Sequence, residues 1–219
     1  NFGLNLSVNS SKNWNSAGKS SANQEPTLGD YLNGSSERLV KKGYPIGAMW
    51  SFAFKGLNPE NGWPEFKYLE TTEGQSYDGD MTSFLVYSGQ KDPYFTGGLN
   101  LGIRYKSLNL NSSFALLLGG KKRLPSPYAN FTGGTKLPNP ETNVNKDVAK
   151  RWKKPGDEKI TNIPSIPAGN PNEINIQLPV EGYVAMSPYT MYNQSDLRVA
   201  DTDFIRCRFP CNTIYLMLG

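Results

Sequence analysis

GGLNLGIRYKSLNLNSSFALLL, the stretch from Gly97 to Leu118, decides how this chain is read. In its first arm Leu99, Leu101, Ile103 and Tyr105 alternate with Asn100, Gly102 and Arg104. In its second, Leu108, Leu110, Phe114, Leu116 and Leu118 alternate with Asn109, Asn111, Ser113, Ala115 and Leu117. That is a period of two, so both arms are expected as strands with one apolar face. Only Lys106-Ser107 separates them, which demands a tight antiparallel turn. The second face carries Asn, Gly, Ser and Ala with a single Arg, where an ordinary solvated face would mix Lys and Glu. Two settings suit such a hairpin: a soluble sandwich, whose apolar face meets a second sheet, and an outer-membrane barrel, whose apolar face meets lipid while the small polar face lines the lumen. Eleven residues at about 3.3 Å each reach about 36 Å, or about 26 Å of height when tilted about 45°, close to the apolar band of about 25 Å on membrane barrels.

Composition points the same way. The chain has 219 residues with 22 Gly and 16 Pro, rich in turn formers and poor in helix signals, so the fold class is all-β. No apolar run approaches the ~18 residues of a membrane helix, which leaves a barrel open because barrel strands show their lipid face only at every second residue. The net charge of +4 is too small to argue for a nucleic-acid partner. The clusters Lys121-Lys122-Arg123 and Lys150-Arg151-Trp152-Lys153-Lys154 read as solvated loop charges.

Outward from the hairpin, Phe2, Leu4, Leu6 and Val8 alternate with Gly3, Asn5, Ser7 and Asn9 in the same code. Residues 10–43 read as a connection with a short helix near Glu37 to Lys42. A strand opens at Tyr44-Pro45, its aromatics Trp50, Phe52 and Phe54 forming either a membrane-interface girdle or a core cluster. The segment to Tyr94 is loop-like, with one short hairpin through Phe66 to Leu69 and Phe84 to Tyr87. Between Gly119 and Ala200 lies a Pro- and Asn-rich stretch. In it Asn145 caps a helix whose Val148 and Trp152 share a face and which stops at Pro155-Gly156. Two strands follow, Asp203 to Phe209 and Thr213 to Leu218, turning at Pro210 to Asn212. Asn1 leads straight into a strand and the last residues are strand-like, so the chain is expected to be an internal piece of a longer protein.

Little here suggests catalysis. With no His, Ser-His-Asp and Cys-His arrangements and His-based zinc motifs are excluded. Asp78-Gly79-Asp80 lacks the further spaced oxygen ligands of a calcium loop. A glycosidase pair drawn from Glu60, Glu65, Asp78 or Asp80 has nothing to raise it. The expectation is no enzyme, no metal and no cofactor. Cys207 and Cys211 straddle a turn, and whether they are bonded stays open.

Five pieces in order resemble one family. Gly43-Tyr44-Pro45-Ile46-Gly47-Ala48, running through Lys55-Gly56-Leu57 to Asn58-Pro59-Glu60-Asn61-Gly62, is similar to the GYPLGAIYGYKYAGLDPETG stretch of SusC/RagA-type TonB-linked outer-membrane proteins. Asp92-Pro93-Tyr94-Phe95-Thr96-Gly97-Gly98 resembles the family's PKFTGG, Leu117 to Lys121 its FGGKV, and Lys146-Asp147 through Arg151-Trp152 to Lys154-Pro155-Gly156-Asp157 its RWQKPGD. Ser195-Asp196-Leu197-Arg198-Val199 with Phe204-Ile205-Arg206 resembles SDLRVVDGSFLRLRN. The chain departs from the family at Cys207-Arg208-Phe209-Pro210-Cys211-Asn212.

The resemblance implies that residues 1–219 are part of the β-barrel of a TonB-dependent receptor, about six strands of a barrel of about 22. These strands lie near 1–9, 45–56, 97–105, 108–118, 203–209 and 213–219, with long extracellular loops at 57–96 and 119–202 and with the plug and N-terminal domains outside this chain. It implies import of oligosaccharides or peptides across the outer membrane of Bacteroidetes, with a SusD-like surface lipoprotein as a lid, energy from the inner membrane through TonB, and the rest of the barrel, its plug and outer-membrane lipid as further partners. Small polar residues such as Asn100, Gly102, Asn109 and Ser113 would then keep the lumen hydrated. Loop aromatics Trp63, Tyr94, Tyr128, Phe131 and Trp152 are the candidate substrate contacts. The competing expectation is a secreted β-sandwich binding module or adhesin, which would bury the apolar stripes between two sheets.

Overall fold

In the computed structural model, the residues described are 2–19, 26–35, 38–69, 80–128, 141, 143–166, 175–179 and 184–209, together with the backbone of 213–217. In chain order the strands are β1 (Phe2–Lys12), β2 (Ala48–Phe52), β3 (Phe54–Leu57), β4 (Pro64–Phe66), β5 (Leu85–Gln90), β6 (Phe95–Tyr105), β7 (Leu108–Leu118), β8 (Lys121–Arg123), β9 (Ile176–Gln177), β10 (Ala185–Met186), β11 (Val199–Asp201), β12 (Phe204–Arg208) and β13 (Thr213–Met217). The α-helices are short, α1 (Leu28–Asn33) and α2 (Pro188–Asn193). The described residues are therefore β-rich with few helices. No closed barrel is seen among them; the strands form one five-stranded sheet, in the order β1-β6-β7-β12-β13, and four two-stranded ones. The chain divides into two compact units. One contains Asn1–Met49, Gly89–Lys122 and Ala200–Gly219; the other contains Trp50–Ser88 and Arg123–Val199.

The five-stranded sheet belongs to the first unit and is antiparallel throughout. Its register aligns the two codes across strands. Leu4, Leu6 and Val8 stand opposite Ile103, Leu101 and Leu99, and these last two face Ser112 and Phe114 of β7. Ile205 and Cys207 of β12 continue that face opposite Leu116 and Phe114. On the other side Asn5 meets Gly102, Asn9 meets Gly98, and Gly102 meets Asn111. The neighbours pack closely over this glycine: a Cβ on Gly102 would stand 3.1 Å from Asn111 Oδ1 and 3.5 Å from Asn5 Cβ. The β6–β7 turn holds Lys106 at φ 53°, the left-handed conformation that a two-residue connection asks for at its first position.

Most of the core lies in the second unit, while Tyr31, Leu32, Leu39, Ala48 and Met49 are buried in the first. Trp50, Phe52, Phe66, Phe84, Leu178, Met191 and Tyr192 are buried. The Phe52 ring meets Phe66 edge-on at 6.0 Å and stacks on Phe84 at 6.4 Å, while Phe54 meets Tyr192 edge-on at 5.9 Å. This favours the core-cluster reading of these aromatics over the girdle, since a girdle residue must show its ring to the membrane interface. The strand expected from residue 45 to 56 is two strands interrupted at Ala53. Phe52 N–H donates to Gln194 O (3.1 Å) and Phe54 N–H to Asp196 Oδ1 (3.0 Å), so the edge there is taken by the turn after α2 and not by a continuous neighbour.

Other local expectations shift as well. The connection at 10–43 carries its helix at α1, and residues 38–42, the described part of the helix expected at Glu37 to Lys42, are not helical. Thr27 and Asp30 form a reciprocal capping box and Gly34 closes the helix in the left-handed region. The segment after Asn145 is a 3-10 turn, Lys146–Lys150, with the Asn145 side chain accepting from Asp147 N–H. Phe66 ends β4, which pairs with β3, and Leu85 begins β5, which pairs with β2, so those two segments do not form a hairpin together.

Candidate functional site

Two features of the first unit bear on function. The first is the apolar face of the five-stranded sheet, which is uncovered. Leu4, Leu6, Val8 and Leu108 are between 59% and 70% exposed, and Phe2 and Tyr105 are exposed beside them. No leucine among the described side chains of this sheet is buried. The buried side chain it does have is Ser112, whose Oγ lies 3.6 Å from Cys207 Sγ, so this hydroxyl on the apolar face has a polar neighbour. Large contiguous apolar patches on water-soluble chains are rare, and a patch laid along adjacent strands marks an interface with lipid or protein.

The second feature is the polar face. It holds a recess of about 320 Å³ lined by Gly3, Leu4, Asn5, Gly102, Ile103, Arg104, Asn109 and Asn111. Arg104 stands opposite both Gly3 and Asn109, and its Nε comes within 3.6 Å of where a Gly3 Cβ would be. Ser113 Oγ donates to Asn100 Oδ1 at 2.7 Å further along the same face. Amides, hydroxyls and guanidinium groups give this face donors and acceptors suited to water and polar solutes. The sequence already showed an Arg set among Gly and Asn; what it did not show was the hollow beside it.

The second unit holds a buried polar cluster that the sequence reading missed. Arg123, expected as a solvated loop charge, is turned inward. Its guanidinium donates to Trp50 O (2.6 Å), Ser51 Oγ (3.2 Å) and Ser195 O (3.4 Å), and Ser88 Oγ donates to Ser51 Oγ (2.6 Å). Burial lowers the Arg123 pKa to about 10, still far above neutrality, so the group remains a cation that cross-links three chain segments. Arg198 is also buried; it donates to Pro125 O and lies over the Tyr192 ring at 5.7 Å. The only signal for Arg123 was its place at the end of a basic cluster that follows the strand pattern directly.

Of the candidate loop aromatics, Trp63, Tyr128 and Trp152 lie in the second unit and Tyr94 in the first. Trp152 is buried against the backbone of Gly62, and its indole N–H donates to Glu158 Oε2 (3.4 Å). Glu158 also accepts its own backbone N–H and that of Gly156, which lowers its carboxyl pKa. Tyr128 is buried, donates its hydroxyl to Pro164 O and meets Tyr189 edge-on at 6.0 Å. Burial pushes the Tyr128 phenol up, and that of Tyr189 to about 12. Trp63, next to Gly62, is half-buried. Ser165 N–H donates to Gly62 O (3.0 Å), so Trp63, Trp152 and Tyr128 share one neighbourhood of the second unit. Tyr94 belongs to the first unit, 45% exposed, its ring over Gly119. Phe131 lies outside the described residues, as do Asp78, Gly79 and Cys211. Asp80 caps a 3-10 turn by accepting from Thr82 N–H. No cluster of three or more His, Cys, Asp or Glu placed to hold a metal occurs among the described residues.

No protein-family model matches the chain, and no curated protein matches its sequence. Among solved structures it is similar to a chain of the RagAB peptide transporter, with a TM-score of 0.56 at 18% identity. It is similar too to chains of the RagAB peptide importer in an open-open state (0.57, 17%) and a closed-closed state (0.55, 18%). Each likeness covers 94% of this chain and 19% or 20% of the other, so the chain spans about a fifth of the length of those proteins. At such identity the likeness is one of fold: this chain folds like a portion of a RagAB transporter chain.

Proposed function

We propose that this chain is a wall segment of a SusC/RagA-like, TonB-dependent outer-membrane importer of oligosaccharides or peptides. In this reading β1, β6, β7, β12 and β13 cross the outer membrane within a barrel of about 22 strands. Their apolar face meets lipid and their polar face lines the lumen around the plug. The long loops 57–96 and 119–202 are extracellular, a SusD-like lipoprotein closes over the entrance, and among the described candidate aromatics Trp63 and Tyr94 keep ring surface for substrate or lid.

The observation that carries the proposal is the uncovered apolar face. Leaving Leu4, Leu6, Val8 and Leu108 in water forgoes about 25 cal/mol for every Å² of apolar surface, whereas lipid covers all of it at once. The likeness to peptide importers supports the same reading at the level of fold. A secreted sandwich would lay a second sheet over these side chains, and among the described residues no such sheet covers them.

Neighbouring positions in β1 provide the test. In a background with Cys207 and Cys211 replaced by Ser, Asn5→Cys and Leu6→Cys are placed in the whole protein and exposed to a membrane-impermeant maleimide in isolated outer membranes. The expected result is reaction at residue 5 and protection at residue 6 until detergent dissolves the bilayer. Equal reaction at both positions in intact membranes, or a chain that is soluble and monodisperse without detergent, would sink the proposal.

A further inference from the structure

We infer that the recess around Arg104 is a carboxylate-binding site, and that the solute passing this wall is anionic. The inference rests on the lumenal reading of the polar face and adds the chemistry of the ligand. Three observations converge on it. The recess has room, about 320 Å³, enough for a few amino-acid or sugar units. Its lining supplies one guanidinium and three primary amides, from Asn5, Asn109 and Asn111, and Gly3 and Gly102 make room for the Arg104 and Asn111 side chains that lie over them. A guanidinium fork matches the two oxygens of a carboxylate, and flanking amides donate to whatever lies beside it.

The third observation concerns the whole face. None of the five strands contains an Asp or Glu, whereas Arg104, Arg206 and Arg208 all occupy its polar side, since Arg206 pairs with Ala115 and Arg208 with Ser113. A cationic, acid-free wall attracts anions and disfavours cations along its length. Neutral solutes would ask for amides and hydroxyls alone, and cationic ones for carboxylates.

The test reads Arg104 directly in the purified whole importer in detergent. Phenylglyoxal modifies accessible guanidinium groups, and peptide mapping reports the rate at Arg104 beside that at Arg38, an exposed arginine outside the sheet. Two acidic probes, tetra-aspartate and trigalacturonate, are compared with neutral tetra-asparagine and maltotriose. The expected result is that at least one acidic probe slows modification of Arg104 about tenfold, leaving Arg38 unchanged, while the neutral probes do neither. Protection by the peptide alone or by the sugar acid alone identifies the source of the carboxylate. Equal rates with all four probes, or equal protection by the neutral ones, would overturn the site. Labelling at residues 5 and 6 reports the barrel reading separately, so a site that fails in a barrel that holds is distinguishable from a barrel that fails.

Discussion

Gly62 shows how much can rest on one missing methyl group. Its φ of 70° is left-handed, and any Cβ there would run into the Trp152 ring. Gly62→Ala combines left-handed strain with overpacking, and should destabilise the second unit by about 2–4 kcal/mol, read as a lower urea midpoint followed by tryptophan fluorescence. In the double variant with Trp152→Ala the clash term should vanish, so the two losses should fall well short of additive. The tyrosines make a second case. A buried phenol with a raised pKa holds its proton in the folded state after the unfolded chain has released it at about pH 10. The stability contributed by Tyr128 and Tyr189 should therefore be constant below pH 10 and decline from there towards about 12, where Tyr189 ionises. Arg123 works the other way, because its lowered pKa leaves the folded state with fewer bound protons above about pH 10. Alkaline denaturation curves should accordingly be less steep for Tyr128→Phe/Tyr189→Phe than for the parent. Neither the Gly62 contact nor the inward turn of Arg123 was legible in the sequence, because both depend on residues about 90 or 70 positions away.

At the scale of the element, alternation was a faithful guide where one face of a strand was apolar and a poor one where both were covered. β1, β6 and β7 lie where the period of two put them. β2 has all five residues buried, so its pattern carried no information about which side faces what, and its break at Ala53 is dictated by partners near Gln194 and Asp196. The capping box at Thr27 and Asp30 was legible in principle as Thr-x-x-Asp, but the short helix behind it has too few apolar repeats to draw attention. For the sheet itself, the two faces of β1 predict opposite tolerance to charge. Leu6→Arg, near the strand's midpoint and on the uncovered apolar face, should cost about 2–4 kcal/mol in a bilayer, while Ser7→Arg on the polar face should stay within about 0.5 kcal/mol. Folding into lipid vesicles, followed by the shift in gel mobility on boiling, measures both.

For the whole molecule, the two units are stabilised by different means. The second has a buried aromatic core of its own, while the described strands of the first bury no large side chain on either face of their sheet. Hydrogen exchange should show this as a contrast between media. Amides of β6 and β7 should be protected in lipid or micelles and lose at least tenfold of that protection when detergent is diluted out, whereas those of β3 and β4 should keep theirs. Matching loss in both units would mean that the sheet does not depend on its apolar surroundings.

The sheet order also sets a timetable. β6 and β7 are joined by two residues and β12 pairs with β13 across residues 209–212, but β1 must find β6 across residues 13–94, and β7 must find β12 across residues 119–203. Closing spans of that size is entropically slow. Both contain the stretches that make up the second unit, 50–88 and 123–199. Once those have condensed on their own core, the ends they carry are no longer the ends of a random coil, and the distance each strand must search shrinks. The hairpins should form early, and the long-range pairings β1–β6 and β7–β12 should wait for the inserts between them to fold.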